Sequence, residues 1–130
     1  MSTSPYQLQR ILPPLSSMIG ILGLSGGIYS IVNPQAFGAT LGIPISTPTS
    51  PALPFASFAG ARQISSGLTI LTLLYTGQRK AVGTLLICGV AAIMTDAWIC
   101  FQHDGVEGKA VGHALMGVAV GLLGAGMCWG

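Results

Sequence analysis

Residues 59–77 read AGARQISSGLTILTLLYTG, and this stretch poses the main question about the chain. It is apolar enough to cross a bilayer, yet it carries the full positive charge of Arg62 near its start. A charged side chain in hydrocarbon costs at least ~2.5 kcal/mol on insertion scales and usually marks a functional site or an ion pair. The stretch therefore predicts a membrane helix in which Arg62 has a specific partner or task.

The composition of the whole chain favours the bilayer as its solvent. Of the 130 residues, 51% are hydrophobic and 6% are charged, whereas a soluble domain has about a quarter of its residues charged. The length predicts a single domain, residues 1–130. A net charge of +2, with no basic run longer than Arg79-Lys80, argues against a nucleic-acid partner. The three cysteines lack the spacing of a zinc site or a disulfide framework, so we expect no metal and no cofactor.

Four segments are long and apolar enough for transmembrane helices, which need about 20 residues each. They cover about residues 15–33, 54–76, 81–101 and 110–129. Pro34 is expected to stop the first segment, and the proline- and serine-rich residues 43–54 predict a loop. The other connections are short, so the sequence predicts an all-α fold, a four-helix transmembrane bundle with antiparallel neighbours. A cleaved signal peptide and a soluble bundle fit less well, because the first segment lacks a charged start and a cleavage site, and the helices are apolar all round.

Basic residues predict the orientation. The end that holds the N-terminus carries Arg10, Arg79 and Lys80 and no acid, while the opposite end carries Lys109 together with Asp104 and Glu107. We therefore expect both termini in the cytoplasm and the opposite end in the lumen of the endoplasmic reticulum.

Glycines predict close helix packing. Gly20, Gly23 and Gly27 share a stripe of the first segment, and Gly117, Gly121 and Gly124 share one of the fourth. Such stripes let helix backbones approach closely in lipid. The run GVAVGLLGAG at residues 117–126 is not interpreted as a dinucleotide loop, because no strand precedes it.

Three ionisable side chains fall inside the predicted segments: Arg62, Asp96 and His113. At 1.5 Å per residue they lie roughly 12, 9 and 6 Å below one membrane surface. Arg62 shares a polar stripe with Ser65, Thr69, Thr72 and Thr76, and Asp96 shares a face with Cys88, Ala92 and Cys100. If these stripes point inward, the three groups meet in a polar pocket that opens towards the lumen.

A cation, a carboxylate and an imidazole together predict an acid–base site. Asp96 is the predicted base or nucleophile, Arg62 keeps it ionised or stabilises a developing oxyanion, and His113 protonates the leaving oxygen. A structural Arg62–Asp96 bridge and an interfacial His113 remain alternatives.

Further polar and aromatic residues complete the predicted site. The predicted substrate-binding residues are Asn33, Gln63, Ser66 and Trp98, with His103, Asp104 and Glu107 at the mouth of the pocket. The two acids also fit as ordinary loop charges, and Trp98 and Trp129 also fit as anchors at the membrane surface.

Several motifs are similar to those of a fungal family of small four-span membrane proteins. They are a glycine-rich first span ending in NPQAFGATLGIP (33–44), FASFAGARQISSGL (55–68), IMTDAW (93–98) and GKAVGHAL (108–115). The family is catalogued as a domain of unknown function, and its members are often associated with secondary-metabolite pathways. The resemblance implies that the family has an arginine, an aspartate and a histidine at the positions of Arg62, Asp96 and His113. It does not indicate which reaction the family performs.

Three functions follow as hypotheses. The first is a cofactor-free membrane enzyme, an epoxide hydrolase or cyclase or an isomerase, acting on a lipophilic polyketide or terpenoid. The second is a non-catalytic membrane scaffold for pathway enzymes. Pathway enzymes or further copies of the chain in a homo-oligomer are the protein partners that we expect. The third is a small exporter, although four-span exporters carry an essential carboxylate in the first span and this chain has none there.

Overall fold

The computed structural model describes residues 5–42, 45–104 and 109–129, and these residues form helices and no strand. The helices are α1 (Pro5–Val32), α2 (Pro34–Thr40), α3 (Leu53–Tyr75), α4 (Arg79–Asp104) and α5 (Lys109–Trp129). The all-α prediction is confirmed.

Three of these helices are long and apolar enough to cross a membrane. They are Gln9–Val32 within α1, Arg79–His103 within α4, and α5, and they match the predicted segments 15–33, 81–101 and 110–129. Helix α3 matches the predicted segment 54–76 in position and has 23 residues. It is not among the candidate spans of the described residues, because Arg62, Gln63 and its serines and threonines lower its hydropathy.

Helix α1 begins earlier than predicted, at Pro5 rather than near residue 15, and it continues through Pro13 and Pro14. Proline removes a backbone donor but keeps its carbonyl. The Pro13 carbonyl accepts a hydrogen bond from Ser17 Oγ at 3.0 Å, and the Gln9 carbonyl, which Pro13 cannot serve, accepts one from Arg79 Nη1 at 3.3 Å.

Helix α2 was not predicted. Pro34 ends α1 at Val32 as expected, but it also opens a new helix. Asn33 Oδ1 accepts a hydrogen bond from the Ala36 N–H at 3.2 Å and so caps α2. An Asn-Pro pair is a common helix start, and this signal could have revealed α2 from the sequence.

The helices pack as two antiparallel pairs, α1 with α3 and α4 with α5. Glycines lie where each pair is closest: Gly27 faces Gly60, and Gly20 faces Gly67. A Cβ atom built on Gly27 would lie 2.5 Å from the Gly60 carbonyl oxygen. The predicted stripe of Gly20, Gly23 and Gly27 on α1 is therefore a packing surface, and glycines of α3 are its partner.

The same geometry recurs between α4 and α5. A Cβ atom on Gly83 would lie 2.6 Å from the Gly124 carbonyl oxygen, and one on Gly117 would lie 2.9 Å from Met94 Sδ. Each pair is thus held by backbone contact at glycines, which gives dispersion attraction between helices that lipid alone would not drive together.

The two pairs meet in a hydrophobic core at one end of the molecule. The core consists of Ile70, Val82, Leu86, Val120 and Met127, with Leu12 and Ile19 of α1 packed against it. These residues come from the start of α1 and α4 and from the end of α3 and α5. We call this end the basic end, because it also holds Arg10, Arg79 and Lys80, and we call the other the α2 end. Arg62, Asp96 and His113 lie in the half of the molecule nearer the α2 end.

Candidate functional site

Asp96 lies on the inward-facing stripe of α4. Val82, Leu86, Ile93, Asp96 and Cys100 follow one another at spacings of three, four or seven residues, and Val82 and Cys100 are 0% and 2% exposed. This stripe differs from the one predicted, because Cys88 and Ala92 are exposed. Asp96 and Cys100 belong to both stripes, so the predicted inward position of Asp96 agrees with the structure.

His113 lies on the inward-facing stripe of α5. The buried residues of this helix are Ala110, Gly117, Val120, Gly124 and Met127. His113 follows Ala110 by three positions and precedes Gly117 by four, so it shares their face. Its side chain is half-buried.

Arg62 reaches the same region from α3. Its side chain is exposed, and the Asp96 carboxyl group interacts electrostatically with both His113 and Arg62. Among the described residues, no salt bridge joins Asp96 to His113 or to Arg62. The structure thus places Arg62 and His113 each within electrostatic range of Asp96, with no salt bridge to it in the described part of the chain.

The polar stripe of α3 is exposed on this chain, whereas the prediction pointed it inward. Gly60 and Gly67 form the face of α3 that contacts α1, because glycine permits the closest approach. The threonine hydroxyls bond to their own helix instead: Thr69 Oγ1 donates to the Ser65 carbonyl at 2.8 Å, and Thr76 Oγ1 donates to the Thr72 carbonyl at 3.0 Å. Such internal bonds let a hydroxyl face an apolar medium at low cost.

Two predicted substrate-binding residues lie beside Arg62 on α3. Ser66 is exposed one turn further along the helix. Gln63 is half-buried, and its Oε1 atom lies 3.1 Å from the position that a Cβ on Gly26 would occupy. Gln63 therefore lies between α1 and α3. It is in the same half of the molecule as Arg62, the residue before it.

The other two lie elsewhere. Asn33 is exposed and uses its side-chain oxygen to cap α2. Trp98 is 60% exposed and stacks against Phe101 with ring centroids 5.9 Å apart. Two helical positions separate it from Asp96, so the two side chains point to opposite sides of α4. There Trp98 lines a 370 Å³ apolar groove with Met94 and Val111.

Cys100 is a residue of this region that the prediction did not single out. It is buried, and its Sγ donates to the Leu41 carbonyl oxygen at 3.0 Å. Phe37 of α2 is 5% exposed. Leu41, the residue that follows α2, therefore contacts α4 one helical turn beyond Asp96, while α2 itself packs against α1 and α3.

The predicted mouth residues are only partly described. His103 is exposed, with Nδ1 2.9 Å from the Ile99 carbonyl oxygen, and Asp104 ends α4. Glu107 lies outside the described residues. Within the described ranges, no group of three or more His, Cys, Asp or Glu side chains is arranged to hold a metal ion.

Comparison with known proteins identifies one family. Residues 20–127 match the family described as a domain of unknown function (DUF4267). No curated protein and no solved structure matches the chain.

Proposed function

The chain belongs to this family of unknown function, and we propose that it is a four-span membrane enzyme that performs cofactor-free acid–base chemistry on a lipophilic substrate. The proposed reaction is the opening of an epoxide, by hydrolysis or cyclisation, or an isomerisation by proton shift. The resemblance to fungal proteins of secondary metabolism suggests a polyketide or terpenoid substrate. It also suggests the endoplasmic reticulum as the location, with pathway enzymes as neighbours.

The proposal that α3 is the fourth span rests on its packing. Helix α1 is a candidate span, and α3 runs antiparallel along it, with Gly67 against Gly20 and Gly60 against Gly27. Gly20 and Gly27 are seven residues apart along α1, and Gly60 and Gly67 are seven residues apart along α3. Seven residues span about 10 Å of helix axis. If α1 crosses the bilayer, α3 lies at the same depth, and Arg62 is inside the membrane with it.

The four-span topology is tested by the position of the two ends. Four spans predict that an epitope tag at the N-terminus and one at the C-terminus are digested from the same side of sealed microsomes, the cytoplasmic side. Tags on opposite sides would show three spans and would leave α3 outside the bilayer.

One observation carries the enzymatic proposal: Asp96 interacts electrostatically with a basic side chain from each of two other helices, and among the described residues it forms a salt bridge with neither. A purely structural pair gains most from direct, bidentate contact. Groups that lie close but unbridged have donors and acceptors available for a third molecule. A substrate that enters between them would meet an acid, a base and a fixed positive charge.

For an epoxide, the proposed steps balance without an added reagent other than water. The protonated His113 imidazole donates a proton to the epoxide oxygen as the carbon–oxygen bond breaks. Asp96 takes a proton from the water, or from the substrate hydroxyl, whose oxygen forms the new bond to carbon. Arg62 stabilises the negative charge that develops on the departing oxygen. Transfer of the proton from Asp96 to His113 restores the starting state.

The reaction is tested by pathway reconstitution. A host that expresses the candidate pathway without this chain should accumulate an epoxide-bearing or unrearranged intermediate, and wild-type chain should consume it. Asp96→Asn and His113→Asn should each abolish that consumption while the protein still inserts in the membrane. Removing a general acid or base typically costs about 10²- to 10⁴-fold in rate.

A matched control separates chemistry from folding. Thr95→Val changes the residue next to Asp96, and the Thr95 hydroxyl bonds to the Ala91 carbonyl of its own helix. This variant should retain turnover. Full turnover by Asp96→Asn would refute the catalytic role, and a pathway restored by any variant that merely inserts would identify the chain as a scaffold.

A further inference from the structure

Three side-chain donors on α3 have no partner within the described part of the chain. The side chains of Arg62, Ser65 and Ser66 are exposed, and none of them makes a hydrogen bond or a salt bridge with another described residue. Because the two serines follow Arg62 by three and four positions, all three side chains are neighbours on one face of the helix. We call them the donor cluster.

Neighbouring hydroxyl groups of α3 are satisfied within the helix. Ser57 Oγ donates to the carbonyl four residues before it at 3.4 Å, and Thr69 Oγ1 donates to the Ser65 carbonyl at 2.8 Å. Such a bond lets a hydroxyl group face lipid at low cost. The Ser65 and Ser66 hydroxyls lack it among the described residues, and the Arg62 guanidinium adds five N–H donors. The donor cluster therefore has hydrogen-bonding capacity that the described chain leaves unused.

The depth of the donor cluster calls for a lipophilic ligand. This inference rests on the proposed four-span topology, which places α3 in the bilayer beside α1. Arg62 follows Pro54 by eight positions, which is about 12 Å of helix axis below the membrane surface. The hydrocarbon holds no water to serve such donors, and charged side chains there pair with one another or with backbone carbonyls. A partner from outside the chain must therefore be soluble in the bilayer.

The proposed site carries one positive charge in excess. In the starting state of the proposed reaction, Arg62 and the protonated His113 are positive and Asp96 is negative. Asp96 interacts electrostatically with both, so the three charges act on one region. Uncompensated charge is costly in a medium of low dielectric constant. A ligand with a single negative charge would bring the site to neutrality.

A carboxylate matches the donors of the cluster. A guanidinium binds a carboxylate through two parallel N–H···O bonds. The carboxylate oxygens have about four acceptor sites between them, so two remain for the hydroxyls of Ser65 and Ser66. The guanidinium also keeps donors for the departing oxygen of the proposed reaction, because the carboxylate occupies only two of its five N–H groups.

Aromatic side chains next to the cluster provide apolar contact for the rest of such a molecule. Phe58 precedes Arg62 by four positions, so it shares the face of the cluster, and it is 68% exposed. Its ring contacts that of Phe55, with centroids 6.5 Å apart, and Phe55 is 71% exposed. The same face of α3 thus presents a charged, hydrogen-bonding end and an apolar end.

We propose that the donor cluster binds a carboxylate of the substrate, which makes the substrate of the proposed reaction a lipophilic carboxylic acid. Arg62, Ser65 and Ser66 are the hydrogen-bond donors, and the apolar body of the acid lies in the bilayer and against Phe58. The carboxylate positions the molecule beside Asp96 and gains or loses no covalent bond, so the proposed proton transfers are unchanged.

Binding of a simple lipophilic acid by the full-length chain tests the proposal. The probes are radiolabelled dodecanoate and its methyl ester, measured with the protein in phosphatidylcholine nanodiscs and with empty nanodiscs as the blank. Dodecanoate should bind more tightly than the ester, which lacks the charge. A hydrogen bond to a charged group contributes about tenfold or more in Kd. Ser65→Ala and Ser66→Ala should therefore each weaken dodecanoate binding about tenfold, and Arg62→Leu, which removes the bidentate pair, about 100-fold.

Thr69→Val is the matched control on the same helix. The Thr69 hydroxyl bonds within α3, so this variant should leave Kd unchanged. Equal binding of dodecanoate and its ester, an unchanged Kd in Arg62→Leu, or an equal loss in Thr69→Val would overturn the proposal. If Arg62→Leu fails to insert, Ser66→Ala still decides between these outcomes. Competition by phosphatidylglycerol added to the nanodiscs would overturn the proposal as well and assign the cluster to a lipid phosphate.

The outcome is independent of the test of catalysis. Asp96→Asn removes a negative charge near the cluster, so it should bind dodecanoate at least as tightly as wild type while turnover is lost. Full turnover by Asp96→Asn together with Arg62-dependent binding would refute the catalytic role and support the carboxylate site. Turnover that requires Asp96, together with binding that does not depend on Arg62, would refute the carboxylate site and leave the reaction standing.

Discussion

Replacing Gly67 by alanine should weaken the packing of α1 against α3. A Cβ atom at this position would lie 2.5 Å from the Gly20 carbonyl oxygen, 2.8 Å from the Leu24 nitrogen and 3.3 Å from Leu24 Cα. All three are backbone atoms of α1, so no side-chain rotation relieves the clash. Lengthening the first contact from 2.5 Å to between 3.0 and 3.4 Å requires the helices to separate by 0.5 to 0.9 Å.

The energetic cost follows from this separation. A gap of about 0.5 to 1 Å removes roughly a quarter to a half of the dispersion energy of each contact, and dispersion is a main attraction between apolar helices in lipid. Overpacking of this kind costs about 1 to 3 kcal/mol. Alanine recovers about 0.5 to 1 kcal/mol over glycine within a helix. Taking the middle of each range, we expect the free energy of unfolding to fall by about 1 kcal/mol.

Glycines elsewhere in the chain provide matched controls. A Cβ atom built on Gly89 of α4 or on Gly112 of α5 would meet nothing within 4 Å. Gly89→Ala and Gly112→Ala should therefore leave the free energy of unfolding unchanged or raise it. The measurement is unfolding in mixed micelles with rising fractions of dodecyl sulfate, followed by far-UV circular dichroism. A Gly67→Ala protein as stable as Gly89→Ala would refute the pairing of α1 with α3 at these glycines.

Three further substitutions or modifications test other contacts. Ser30→Ala should lower the free energy of unfolding by about 1 kcal/mol, because the fully buried Ser30 hydroxyl donates to a carbonyl of α3. As a control, Ser25→Ala should leave the free energy of unfolding unchanged, because the Ser25 hydroxyl bonds within α1. Asn33→Ala should lower the free energy of unfolding by about 1 kcal/mol through loss of the α2 cap, and Asn33→Ser should restore most of this stability. Loss of turnover in a stable Asn33→Ser protein would favour the predicted contact between Asn33 and the substrate. In detergent, a maleimide should modify the exposed Cys88 in the folded protein, whereas Cys100, which is 2% exposed, should react only on unfolding. Equal labelling rates would contradict the burial of Cys100 on the inward-facing stripe of α4.

Most helix positions could be predicted from the sequence, because the length of an apolar run directly limits where a membrane helix can lie. The predicted segment 110–129 and the helix Lys109–Trp129 differ by one residue. The prediction failed at the prolines. The predicted start of the first segment near residue 15 was wrong, because α1 begins at Pro5 and continues through Pro13 and Pro14, where Ser17 and Arg79 side chains bond to carbonyls of α1. Pro34 suggested an end but also begins α2.

The sequence by itself determined the approximate positions of four of the five helices in the described residues, that most of them are apolar enough for a bilayer, and that three ionisable groups fall in one half of the molecule. Only the tertiary structure decided that α1 pairs with α3, that Gly67 faces Gly20, and that the polar stripe of α3 is exposed. The physical reason is that periodicity shows which residues share a face but not which partner that face meets. In helices that are apolar nearly all round, the closest backbone approach decides, and that depends on two glycine stripes far apart in the chain.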